Sequence, residues 1–115
     1  MNFYSARLLL VILIDDDRPR QTHTWDEIIV TFRARDFGHA FPRALEIGRS
    51  HETEYENSDH RRVRWALVEV MTLDCVGRRV DGSEVASRLF RRRSKTAIPF
   101  DQPFRPEDST PSQSF

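Results

Sequence analysis

Arginine and tryptophan stand together in "RRVRW" (61–65), and arginine returns beside phenylalanine in "RLFRRRSK" (88–95). Guanidinium groups bind phosphates and aromatic rings stack on bases, so both stretches carry the residue types of a nucleic-acid contact. The first has a competing use. "ETEYEN" (52–57) lies just upstream. In a hairpin with Glu54 opposite Arg64 and Glu56 opposite Arg62, carboxylates meet guanidiniums on one face, and Thr53 and Tyr55 meet Trp65 and Val63 on the other. Such cross-strand pairs contribute roughly 0.2–1 kcal/mol each, and a slip of one residue would mix the two sets. Arg91, Arg92 and Arg93 have no such acceptors nearby and are the candidate nucleic-acid contact. They also read as a charge block that guards an edge strand.

Glu69 falls on the face of its strand that the alternation assigns to the core. One reading is a bulge, or a position past the helix's cover. The other is a carboxylate with a raised pKa, a candidate general base or an internal partner for an arginine. Arg64, Glu69, Glu84 and Arg88 make a candidate polar site for a carboxylate or phosphate ligand. His51 and His60 stand among Glu52, Glu54, Glu56 and Asp59, but their spacing fits no compact metal site, and no metal or cofactor is expected. No phosphate-cradling glycine loop, nucleophile elbow or HExxH pattern occurs, so catalysis is not the favoured reading.

These residues need strands to position them. Tyr4, Ala6, Leu8, Leu10, Ile12 and Ile14 alternate as one apolar face of a strand over 3–14, and Ile28, Val30, Phe32 and Ala34 do so in 24–34. The turn-rich "DDDRPRQT" joins the two as a hairpin. After Asp36, a candidate N-cap, Phe37, Ala40, Phe41, Ala44, Leu45 and Gly48 follow helical spacing. Pro42 conflicts with that, since inside a helix it costs about 3 kcal/mol; it implies a kink or a loose first turn. Strands follow at 52–57, 61–76 and 83–91. The order ββαβββ predicts an α+β domain, a mainly antiparallel sheet of five strands with one helix on one face. Residues 1–93 form the expected domain. Residues 94–115, rich in proline and serine, read as a disordered tail in which Phe100 and Phe104 are the candidates for local docking.

Leu9, Val11 and Leu13 on the first strand, and Ala66, Val68 and Val70 on the fourth, make a half-apolar second face that one helix cannot cover. Patches of this kind mark protein–protein contacts. This is the candidate interaction surface, and a homodimer through the sheet is the favoured partner arrangement.

Composition sets the outer limits. The 115 residues suit one domain, and the net charge is zero. The charge is uneven: residues 1–60 hold seven basic and eleven acidic groups (−4), and 61–115 hold eleven and seven (+4). All basic residues but Lys95 are arginine. Cys75 is the sole cysteine, so no internal disulfide forms. "LLLVILI" is too short to span a bilayer and lacks the flanks of a signal peptide. The expectation is a soluble cytoplasmic protein without a membrane partner.

"FYSARLLL", "EIIVTFRA", "ALEIGRSHETEYEN", "VRWALVEV" and "DGSEVASRLF" occur in an order and spacing that resemble the uncharacterised bacterial domain-of-unknown-function family 4288. The resemblance spans about residues 3–90. It implies a small protein of unknown activity and carries over no catalytic residue. Positions matching the family's recurrent polar residues are Glu27, Glu52, Tyr55, Asn57, Arg64, Glu84, Ser87 and Arg88. Pro42, a longer basic link before Val63 and the Pro-rich tail depart from the family pattern. The favoured reading is a small non-catalytic interaction module. The alternatives are a nucleic-acid binder using Arg91–Arg93 and an enzyme or small-ligand binder around Glu69, Arg64 and Arg88.

Overall fold

The structure is a computed structural model and describes residues 1–17, 19–78 and 87–112, with the backbone alone for 87–89. Two long strands come first, β1 (Asn2–Ile14) and β2 (Arg20–Ala34), then helix α1 (Phe37–Ser50). β3 (Thr53–Glu56), β4 (Arg62–Gly77) and β5 (Ser87–Ile98) come after it. They form one antiparallel sheet in the order β3-β4-β1-β2-β5, which is the expected α+β arrangement.

The Asp36 side chain caps α1 by accepting from the His39 N–H at 2.9 Å, which satisfies one of the first-turn donors. The helix runs through Pro42. Ala40, Ala44 and Gly48 form its buried stripe. A Cβ at Gly48 would stand 2.6 Å from Leu67 Cδ2, so glycine is what lets α1 close on β4. Tyr4, Ala6, Leu8, Leu10, Ile28, Val30, Phe32, Leu67, Val70 and Leu73 line the sheet beneath it.

Lengths then decide what stays uncovered. The 14 residues of α1 span about 21 Å. The 13 residues of β1 span about 44 Å. One helix therefore covers about half of its face. It sits over the Tyr4–Leu10 end and leaves the Ile12–Ile14 end open.

The chain's last segment differs from the expected tail. β5 continues to Ile98, and Phe100 and Phe104 pack with Ile98 and Phe90 on Leu9, Val11, Leu13, Trp25 and Ala66. A 3-10 turn, Pro106–Asp108, comes next with Pro106 buried. Beyond the short β3, this segment supplies the missing partners of the β4 edge. Ser109 Oγ accepts from the Val70 N–H at 3.0 Å. Ser112 donates to Met71 O and accepts from the Leu73 N–H, at 3.2 and 3.1 Å. Residues 99–112 thus form a strap from β5 across the second face to the opposite edge. Its cause is physical: without it an apolar face and a bare strand edge would meet water. The part of the predicted last strand at 83–86 lies outside the described residues.

A bulge shapes β4. Leu10 pairs with Leu67 and Leu9 with Glu69, which skips Val68. The extra residue reverses the facing of the residues just beyond it: Val70 joins the helix-side core and Met71 the strap-side one, and a second register shift between Leu8 and Arg7 skips Met71 and returns Leu73 to the helix side. Glu69 stays exposed. The bulge reading of Glu69 describes this position, and the buried-base reading does not.

Candidate binding surface

The β3–β4 hairpin has the register its charges require, with Glu54 opposite Arg64 and Glu56 opposite Arg62. The contacts run diagonally, however. Arg62 bonds Glu54, with Nε at 2.9 Å from Oε1, and this pairing holds the Arg62 guanidinium above its ordinary pKa. His60 sits 2.8 Å from Glu56. Arg64 turns to the strap instead, donating to Phe100 O at 3.1 Å and Gln102 O at 2.8 Å. Rings cover both guanidiniums, Phe100 at 5.0 Å from Arg62 and Phe104 at 5.8 Å from Arg64. Both of these arginines of the "RRVRW" stretch are therefore structural.

Of the candidate polar site, the described side chains of Arg64 and Glu69 do not meet. Arg64 is bound to the strap, and Glu69 is exposed. Glu69 pairs with Leu9, Leu9 with Glu27, and Glu27 with Arg88. Three strand spacings, ~14 Å, therefore separate the Glu69 and Arg88 backbones. The side chain of Arg88 and the whole of Glu84 lie outside the described residues.

The candidate interaction surface is covered as well. Leu9, Val11, Leu13 and Ala66 are at most 2% exposed beneath the strap. Val68 packs with them and Val70 faces the helix side. A partner reaching this patch would first have to displace Phe100 and Phe104.

The open surface is the other one, past the C-terminal end of α1. On this half-face Ile12 pairs with Trp65 and with Thr24, and Thr24 pairs with Arg91. Ile14 is 45% exposed and Tyr55 is 48% exposed. Trp65 is half-buried and donates its indole N–H to the Tyr55 hydroxyl at 3.3 Å. A hollow of about 120 Å³ is lined by Ile12, Ile14, Arg20, Thr24 and Arg91 among others. That is smaller than the roughly 300–1,000 Å³ of a typical small-molecule pocket, so it suits part of a larger ligand.

Strand alternation divides the three arginines of β5. Arg91 and Arg93 pair with Thr24 and Thr22 and face the open side. Arg92 pairs with His23 and lies over the buried Trp25 ring on the strap side, at 4.2 Å. Asp26 stands on the open face where the helix ends. Its Oδ1 is buried without a partner. Burial pushes its pKa up, against the opposing pull of His51.

An acidic cleft of about 360 Å³ lies at the β1–β2 turn, lined by Asp15, Asp16, Asp17, Arg62, Phe100 and Asp101 among others. Among the described residues no group of His, Cys, Asp or Glu could hold a metal ion. None of their helices is long and apolar enough to cross a membrane.

Residue spacing alone did not single out Ile12, Ile14, Tyr55, Thr24 and Trp65 as a surface. The available signal was the mismatch between a short helix and long strands.

Fold and surface define a small α+β domain with one sheet face closed by its own C-terminal strap and the other half covered by a helix. The family described as Domain of unknown function (DUF4288) matches residues 3–87, and the chain belongs to that family. The strap lies C-terminal to the matched residues. No curated protein and no solved structure matches the chain.

Proposed function

We propose that this chain is a non-catalytic interaction module that binds a macromolecular partner on the open half of the helix-side sheet face. The observation that carries the reading is the coincidence of Ile12, Ile14, Tyr55 and Trp65 on one face with no covering element among the described residues. A fold that closes its other face with a strap leaves such residues uncovered at a cost in solubility, and binding offsets that cost. On this face the hollow beside Arg91 holds only about 120 Å³, too little for a small-molecule substrate, which favours binding of a larger partner. A second copy of the chain is one partner that this surface would fit.

A photo-crosslinking side chain at position 14, in the intact chain inside cells, tests the reading. Adducts to one defined partner are expected from position 14, with none from Glu46, an exposed residue of α1. Equal adducts from both positions, or none from position 14, would overturn it.

A further inference from the structure

We infer that the partner is single-stranded nucleic acid, with Tyr55 and Trp65 stacking bases and Arg91 and Arg93 holding phosphates. The inference rests on the open half-face being the docking surface. Three observations lead to it.

The first is the pairing of ring and cation on one face. Tyr55 and Trp65 lie on β3 and β4, and Arg91 and Arg93 lie on β5. Between β4 and β5 stand β1 and β2, which contribute Ile12, Thr22 and Thr24. Three strand spacings from Trp65 and four from Tyr55 give spans of ~14 and ~19 Å from the rings to the cations. A flexible strand can lay bases at one side of that span and backbone at the other.

The second is charge. No ion pair joins Arg91 or Arg93 to a carboxylate among the described residues; Arg93 donates only to the neutral Gln21 amide, at 2.8 Å. Nearby carboxylates are mostly engaged elsewhere, and Asp16 at the β1–β2 turn pairs with Arg20. Glu54 and Glu56 alternate to the other face, where they meet Arg62 and His60. Glu52 accepts from the Leu67 N–H at 3.0 Å. Burial makes Asp26 easier to protonate. Anions are thus favoured at the β5 side of this face, although the whole chain is neutral.

The third is shape. The rings stand on an open sheet face, and unpaired bases can splay onto exposed rings. Stacking of this kind tolerates any base, so little sequence preference is expected.

Fluorescence anisotropy of a labelled oligothymidylate of about twelve nucleotides, titrated with the whole chain, tests the inference. Binding at low salt should weaken as salt rises, with a log–log slope of about −1.4 for two phosphates. Arg91→Glu with Arg93→Glu should weaken binding at least tenfold and flatten that slope. Tyr55→Ala should weaken it roughly fivefold or more and leave the slope unchanged. Trp65→Phe, which keeps a ring in place, should retain most of the affinity and guards against misreading a folding defect. Absence of binding at low salt overturns the inference, as does affinity indifferent to Tyr55 and the arginine pair. Equal competition by a poly-glutamate of matched charge would point to an acidic protein instead and also overturns it. If position 14 still crosslinks to a protein, the docking surface stands and only its occupant is wrong. If position 14 crosslinks to nothing, both readings fall.

Discussion

Truncating both strap rings, Phe100→Ala with Phe104→Ala, asks whether residues 99–112 belong to the fold. A fully buried Phe→Ala change costs about 3–5 kcal/mol. Both rings are half-buried against Leu9, Val11, Leu13 and Ala66, so each should cost about half of that. Each change also removes an arginine–ring contact, at 5.0 Å for Arg62 and 5.8 Å for Arg64. Such contacts contribute about 0.5–1 kcal/mol each at exposed sites. The two changes share one segment, so they will not add fully. A joint loss of about 3–5 kcal/mol is expected, a large part of the roughly 5–15 kcal/mol that holds a domain of this size. The urea midpoint should then fall by on the order of 2 M. Because the rings cover residues at most 2% exposed, the variant should also bind a hydrophobic dye in its native state. A midpoint shift below about 0.3 M with no dye binding would refute the reasoning. The strap would then be a loosely attached tail.

Other perturbations have signs set by single contacts. Gly48→Ala should lower the melting temperature. The new methyl meets Leu67 Cδ2 at 2.6 Å, and overpacking of about 1–3 kcal/mol outweighs a helix-propensity gain of about 1 kcal/mol. Asp36→Ala removes the cap on His39 and should cost about 1 kcal/mol in chemical denaturation. Asp26 tests the pH dependence. Its folded pKa is raised by burial, so the folded state holds the proton longer and stability falls as pH rises from the ordinary carboxylate range through the raised value. Asp26→Asn should therefore raise the melting temperature at neutral pH and leave it nearly unchanged in acid; an equal effect at both would contradict the assignment. Glu107 has the opposite sign. Its own backbone N–H, then Arg105 and Arg49, lower its pKa, so its contribution is present above the ordinary carboxylate range and is lost as pH falls through the lowered value. Glu107→Gln should narrow the gap in melting temperature between neutral pH and strong acid.

Much of the fold was legible in the residues. Alternation in β1, β2 and β4 and the helical spacing after Asp36 gave the element order. The charges of "ETEYE" and "RRVRW" gave the β3–β4 register, because a slip of one residue would set carboxylates against apolar groups. The strap was hidden because it crosses strands instead of running along one. Its contacts come from Phe100, Phe104 and Pro106 at irregular spacing, and no period betrays them. The Val68 bulge had one trace, a carboxylate at an apparent core position, and Glu69 marked the place where the alternation breaks. Arg64 showed the limit of pairwise reasoning. Its facing partner in the ladder is Glu54, yet its donors reach two strap carbonyls more than thirty residues away in sequence.

The central claim is that the two sheet faces differ, one closed by the strap and one open beyond α1. The chain has two tryptophans, and they stand on opposite faces. Trp25 is 3% exposed under the strap, and Trp65 is half-buried on the open side. Acrylamide quenching of the two single-tryptophan proteins, Trp25→Phe and Trp65→Phe, reads each face directly. The account predicts severalfold stronger quenching of Trp65 than of Trp25. Equal quenching, or a Trp25 that is the more accessible, would contradict it.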